Sequence, residues 1–315
     1  SSILSLFPRL LMGPVLRYSS FIKMLKNRRD GLNEIGIGFT VFVKGLAKKV
    51  IAADSLYMLY SAVHGIDIEN MTALTAWIGI TAYLLCLYFT LSGFSDMGIG
   101  IGYCLGFRFP QSFNYPLFST KIRYFTTRWH IQIIQWFRRY ITKPLSSRFN
   151  NKIIKKLIFI AVWGLFGFWY TFSINGVVWG AIIGSAVTIE NHFSNEKILN
   201  ITGIIYTFLA VVIASVFLSG SDLSYSLKYL LVMLGGNRAF ADSLSFYFIK
   251  SYIVILLISV YAATSLFRNL MIRSGRTWIR NAVVIVSPAI VMAFMIICTI
   301  MISYSGSSEM ILLRL

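Results

Sequence analysis

Apolar residues run through this chain in stretches too long and too unbroken for a soluble core. Residues 201–218, 246–266 and 282–301 each approach or reach the ~20 apolar residues that a membrane-crossing helix needs. Residues 72–107 form a longer run of the same kind. Residues 157–189 open on another and then turn rich in glycine and aromatics. Between the runs lie short polar stretches: the basic loop 23–30, the mixed loop 64–70, the loop 190–200, and Arg268, Arg273, Arg276 and Arg280 between the last two runs. The alternation predicts an all-α polytopic membrane protein. Basic loops mark the cytoplasmic side. Residues 64–70, with His64 solvated, then fall on the opposite side, and the expected place is the cytoplasmic (inner) membrane.

One stretch breaks the pattern. Residues 114–145, NYPLFSTKIRYFTTRWHIQIIQWFRRYITKPL, sit between apolar segments yet hold Lys121, Arg123, Arg128, Arg138, Arg139 and Lys143 and no carboxylate. Polar groups at membrane depth are costly and mark function by default. The spacing predicts short, re-entrant helices around Arg128-Trp129-His130, anchored by Tyr124, Phe125, Trp136, Phe137 and Tyr140. Asp96 is the only carboxylate between Glu69 and Glu190. At depth it needs a partner, such as Arg128; an interfacial loop position is equally open. Gly98 and Gly102 form GxxxG, a spacing that lets helices approach closely. Lys44, Lys48 and Lys49 fall on one helix face, either reaching up to headgroups or forming a basic wall at a cytosolic entrance.

Composition sharpens this reading. The 315 residues are 57% hydrophobic and 13% charged, with mean hydropathy +0.72; soluble domains are nearer a quarter charged. The net charge of +18 comes from 29 basic and 11 acidic residues. Set in loops between spans, it fits membrane lipids as partners rather than nucleic acid. Cys86, Cys104 and Cys298 all lie in apolar segments without CxxC spacing, so they read as buried structural thiols. The three histidines lack metal-ligand spacing, and no metal site is expected. Pro8, Gly13 and Pro14 break the first 18 residues into a bent or interfacial segment. The chain opens at Ser1 without an initiator Met and reads as the C-terminal part of a longer membrane protein.

Several motifs then fall in a specific order. They are Phe7-Pro8 with Gly13-Pro14-Val15 and Arg17-Tyr18; Gly45-Leu46-Ala47-Lys48-Lys49-Val50 with Ala53-Asp54; and Ser92-Gly93-Phe94-Ser95-Asp96-Met97 with Ile99-Gly100. Gly106-Phe107-Arg108-Phe109-Pro110 leads to Phe113-Asn114-Tyr115-Pro116. Arg128-Trp129-His130-Ile131 follows, then Pro144-Leu145, Trp179-Gly180-Ala181 and Val216-Phe217. Across essentially the whole chain this series resembles the membrane-bound O-acyltransferase (MBOAT) family. Within it, the nearest likeness is to the bacterial branch that includes alginate O-acetyltransferases and the teichoic-acid D-alanylation protein.

The resemblance implies one MBOAT-like membrane domain over residues 1–315, lacking the family's N-terminal helices. The implied fold is a ring of tilted transmembrane helices with short re-entrant helices around a central funnel. It implies an enzyme that moves an acyl group, acetyl in the alginate branch, from a cytosolic thioester to a hydroxyl of an exopolysaccharide or envelope polymer. The donor would be acetyl-CoA or an acyl carrier, with no bound cofactor. An extracytoplasmic acetyltransferase or esterase-like protein, and a polysaccharide synthase, are the implied partners. Two family histidines carry the chemistry. His130 matches one, in the RWH motif, and is expected to face a water-accessible hollow. The other belongs to GxWHG, where this chain has Gly167-Phe168-Trp169-Tyr170-Thr171.

Tyr170 thus stands where the family has histidine, and a phenol of pKa ~10 is a poor base at neutral pH. Thr90 and Thr127 are further departures from the branch's pattern. Three readings follow. In one, the protein is an acyltransferase with His130 as base and Tyr170 as hydrogen-bond donor or acyl carrier. In the second, it is a degenerate homologue that binds lipid, thioester or a partner without turnover. In the third, it is a transporter-like polytopic protein unrelated to acyl transfer. Arg128, Trp129, Asp96, Asn114 and Trp169 are the expected substrate-binding residues in the first two.

Overall fold

The structure is a computed structural model that describes residues 18–29, 31–193, 200–236, 239–264 and 277–305. The proline-containing opening segment, with its Phe7-Pro8 and Gly13-Pro14 motifs, lies outside the described residues, as do Arg268, Arg273 and Arg276. The regular structure of the described residues is all helical, α-helices with short π and 3-10 turns. Among the described residues, five helices are long and apolar enough to cross a membrane: α4 (Ala73–Cys104), α8 (Lys152–Thr171), α10 (Asn200–Ser219), α12 (Ser243–Ala262) and α13 (Thr277–Ser305). The three spans read from hydropathy alone are therefore present, at residues 201–219, 243–262 and 286–304. Helix α13 exposes almost its whole apolar window, as a helix facing lipid does.

Two compact units form, and α4 runs through both. The first holds α1 (Tyr18–Lys26), α2 (Leu32–Ala47), the C-terminal half of α4 and α13. Residues 23–26, expected in a loop, are helical, and Met24 packs on Ile99, Phe107 and Phe109. A π-helical turn, Lys48–Ala53, joins α2 to α3 (Asp54–His64).

Glycines set how closely α2 and α4 approach. A Cβ at Gly100 would lie 2.6 Å from the Gly38 carbonyl oxygen, and one at Gly45 would lie 2.6 Å from that of Gly93. Both pairs are spaced by seven residues, one stripe on each helix. The contact therefore runs through Gly93 and Gly100, while Gly102 of the expected GxxxG lies against the Phe109 ring.

The lysine face of this unit is not an open wall. Lys48 pairs with Asp96 at 2.6 Å, and Lys49 pairs with Asp54. Asp96 sits within α4 rather than in a loop, and its ion-pair partner is Lys48 rather than Arg128. Its neutralisation comes from a helix packed alongside, which sequence distance hid. Of the three cysteines, Cys86 and Cys298 are buried as expected; Cys104, at the last turn of α4, is exposed.

The second unit holds most of α3, the N-terminal half of α4 and everything from Tyr115 to Ala263. Its helices are α5 (Ile122–Arg128), α6 (Ile131–Phe137), a π turn (Arg138–Thr142), α7 (Lys143–Ser147), α8, α9 (Ile174–Phe193), α10, α11 (Leu223–Met233) and α12. Residues 114–145 thus break into short helices. Residues 157–189 fall into two helices, reversed at Phe172, which adopts a left-handed φ of 50°. The last carbonyls of α10 have no intrahelical partner and must be satisfied otherwise. Those of Leu218 and Ser219 accept from Tyr83 and Tyr60, and that of Gly220 accepts from Asn175. Asp242 caps α12 reciprocally with Ser245, a capping box. His64 is not freely solvated: it packs between Tyr60 and Tyr225 and hydrogen-bonds the Tyr225 hydroxyl at 3.2 Å.

Candidate active site: a buried histidine in an aromatic cage

Helix α5 carries Arg128 at its end and leads into Trp129 and His130. At seven residues it is too short to be stable alone, so tertiary contacts must hold it. Its N-cap, Lys121, makes no side-chain cap bond. The carboxylate of Glu190, on α9, fills that role. Its two oxygens accept from the Ile122 and Arg123 amides at 3.1 and 2.9 Å. An anion here also complements the positive end of the helix dipole.

The sequence pattern places Glu190 in a polar loop, yet α9 continues through it to Phe193. The Glu190→Ala variant leaves two helix-starting amides without their acceptor. The expected cost is about 1–2 kcal/mol, the size of a lost N-cap. Amide hydrogen exchange at residues 122–125 should then accelerate while α12 is unaffected; unchanged exchange would show that Glu190 does not hold the helix.

Trp129 ends α5 in extended conformation, and its N–H still reaches the Phe125 carbonyl at 2.9 Å. His130 then adopts φ 41°, ψ 49°, a left-handed conformation uncommon outside glycine but enriched for His, Asn and Asp. Its carbonyl accepts from Ile134 N–H and opens α6. The junction of the two short helices is therefore His130 itself. Such a conformation persists when its surroundings over-determine it. Here Trp129, 1% exposed, stacks on Phe125 with ring centroids 5.4 Å apart.

The His130 ring, 4% exposed, meets Tyr170 edge-on at 6.1 Å and Trp169 at 6.3 Å. Tyr170 in turn lies 5.5 Å from Phe166 and 5.7 Å from Trp179. Its hydroxyl is buried beside the Trp129 indole. The cage rests on close approach of α8 and α9, where a Cβ at Gly167 would fall on the Gly176 carbonyl. His130 lies between the spans rather than in one, and burial pushes its imidazole down to about 4. Desolvation disfavours the charged ring, so the ring is neutral at ordinary pH.

Five of the seven expected site residues share this unit. His130, Trp129, Trp169 and Tyr170 form the cage, and Arg128 stacks over the Tyr124 ring at 5.9 Å. Trp169 is 42% exposed, so only part of it packs inward. Asp96 and Asn114 belong to the other unit. Phe166 and Glu190 are site residues that the motifs did not single out; Trp179 stood in a motif but was given no role at the site. Among the described residues no cluster could hold a metal ion.

Beside the cage the second unit has a cleft of about 550 Å³. Its lining includes Thr126, Ile134, Phe137 and Phe166 but not His130. The imidazole is thus neither on the lipid-facing surface nor on the wall of this cleft.

A polytopic helical membrane protein with an RWH histidine turned into an aromatic cage is the class that these features define. The model of MBOAT, the membrane-bound O-acyltransferase family, matches residues 4–219. The chain belongs to that family. It is 33% identical over 249 residues to a Pseudomonas putida protein named probable alginate O-acetylase AlgI, covering 77% of this chain and 49% of that one. It is 30% identical over 246 residues to the peptidoglycan O-acetyltransferase of Helicobacter pylori, covering 74% and 46%. To the teichoic acid D-alanyltransferase of Bacillus subtilis it is 25% identical over 212 residues, covering 61% and 51%. The chain spans about half the length of the curated relatives it matches.

Proposed function

We propose that this chain carries the acyl-transfer centre of an O-acyltransferase that modifies a polymer of the cell envelope, with His130 as general base. The donor in this reading is a cytosolic acetyl thioester, either acetyl-CoA or an acyl carrier. The acceptor is a polysaccharide hydroxyl, and the setting is the cytoplasmic membrane. Relatives named for alginate, peptidoglycan and teichoic acid support a polymer acceptor. An extracytoplasmic acetyltransferase or esterase-like protein, and a polysaccharide synthase, are the proposed partners.

One observation carries the reading. The two places that resemble the family's histidine motifs, forty residues apart, meet with ring centroids 6.1 Å apart. In the reaction the neutral imidazole takes the hydroxyl proton as the oxygen attacks the thioester carbonyl. The C–S bond then breaks, and the thiolate takes the proton from the imidazolium. Tyr170, with Trp129 beside it, orients the ring. Arg128 and Trp169 are the proposed substrate contacts.

A second reading is favoured by the Tyr170 phenol and by the absence of His130 from the cleft wall: a degenerate member that binds without turnover. Thioester consumption by membranes containing the full-length protein and its polymer separates the two. The proposed activity predicts turnover by the wild type and a change of less than about tenfold in Tyr170→His. A silent wild type that gains roughly 10²-fold in Tyr170→His, the scale of one positioned base, would establish the degenerate reading instead.

A further inference from the structure

The cleft beside the cage has a wall and a rim of different character. Ile134, Phe137, Phe159, Val162, Trp163 and Phe166 make an apolar wall. Arg123, Arg138, Lys155 and Lys156 stand around it, and among the described residues no carboxylate lines it. The nearby Glu190 is already engaged by the amides of α5. The threonine hydroxyls of the lining are engaged too. Thr126, Thr127, Thr142 and Thr188 each donate to a backbone carbonyl of their own local helix or turn. The cleft therefore offers positive charge and apolar surface, and few neutral hydrogen-bonding groups.

Its depth matches one kind of amphiphile. Lys155 and Lys156 lie in the first turns of the spanning helix α8, and Phe166 lies eleven residues beyond Lys155. At ~1.5 Å per residue that is about 16 Å. Half the ~30 Å hydrocarbon core is close to the same length. Trp136 and Tyr140, 37% and 53% exposed, pack on each other and flank the lining residues Phe137 and Arg138 in the chain; exposed aromatic residues of this kind suit headgroup level. Basic residues at this end of α8 place the rim in the cytoplasmic leaflet, the one rich in anionic lipid.

We propose that the cleft is a binding site for one anionic phospholipid. Its phosphate is held by Arg138, Lys155, Lys156 and Arg123, and one acyl chain lies along the wall that ends at Phe166. Phe166 also packs against Tyr170 and Trp169, so the chain's end touches the back of the cage. A pantetheine thioester fits less well: the threonine oxygens can still accept from its amide N–H groups, but their hydrogens are already donated, which leaves Tyr124 and Asn191 as the main neutral lining groups for its carbonyls.

The test is lipid retention by the full-length protein, purified in mild detergent with equal phosphatidylglycerol and phosphatidylcholine and read by native mass spectrometry. No acyl transfer is involved, so the result stands apart from the proposed activity. The wild type is expected to retain one phosphatidylglycerol. Each cation near a lipid surface contributes about fivefold in affinity. The triple variant Arg138→Gln/Lys155→Gln/Lys156→Gln should thus bind about a hundredfold more weakly. A triple variant of equal charge outside the cleft, Lys143→Gln/Arg148→Gln/Lys152→Gln, should retain the lipid. Equal loss in both triples, or equal retention of phosphatidylcholine, would overturn the proposal. Displacement of the lipid by coenzyme A would also overturn it and place the donor there.

Discussion

The His130→Asn variant of the full-length protein is expected to lose acyl transfer by about 10³-fold, within the 10²–10⁴ typical of a positioned base. Asparagine is the informative replacement because the backbone at 130 is left-handed. Asn tolerates that conformation nearly as well as His, so α5 and α6 should keep their junction. The His130→Ala variant removes the base and also adds conformational strain. Near-equal rates in the two variants would assign the loss to the imidazole. A His130→Asn protein that retains wild-type turnover would remove His130 from the chemistry, whatever its position in the cage.

The second large effect is on folding. The Gly167→Leu variant places a side chain where α8 and α9 touch backbone to backbone, against the Gly176 carbonyl. Flexible side-chain ends can yield to an intruding methyl; a helix backbone cannot. Overpacking costs about 1–3 kcal/mol or more, and here the two helices must separate along the contact that holds Tyr170 near Trp179. Thermal unfolding in detergent should shift down sharply, with loss of the near-ultraviolet signal from the cage tryptophans. Gly36→Leu is the control, because a Cβ there meets nothing within 4 Å. Equal behaviour of the two variants would mean that the close approach contributes no stability.

What the sequence made legible follows from range. Hydropathy is a local property, and so the spans in 201–219, 243–262 and 286–304 stood out directly. The polar 114–145 segment was equally visible, because basic residues between apolar runs need no partner to be noticed. His130 and Tyr170 were found through motif likeness. That they meet was beyond the residues themselves, since it depends on how α8 packs beside the α5–α6 junction.

Three features stayed hidden for related reasons. Glu190 caps a helix that begins 68 residues earlier, and nothing near it in sequence marks that partnership. Gly93 and Gly100 face α2, while Gly102 lies against Phe109; a GxxxG spacing does not encode the rotation of the helix. Asp96 was recognised as needing a cation, but Lys48 rather than Arg128 supplies it. In each case the residue type signalled an unmet need, and tertiary packing chose the partner.

The most direct test of the account is the pH dependence of acyl transfer by the full-length wild type. A base must be unprotonated to act, so the rate falls as pH drops through its pKa. Burial lowers the His130 value to about 4, against ~6.5 for an exposed imidazole. The account predicts a rate that is level from neutral pH down to about 5 and falls only below it. An inflection near 6.5, or a profile that stays unchanged in His130→Asn, would contradict a buried His130 as the base.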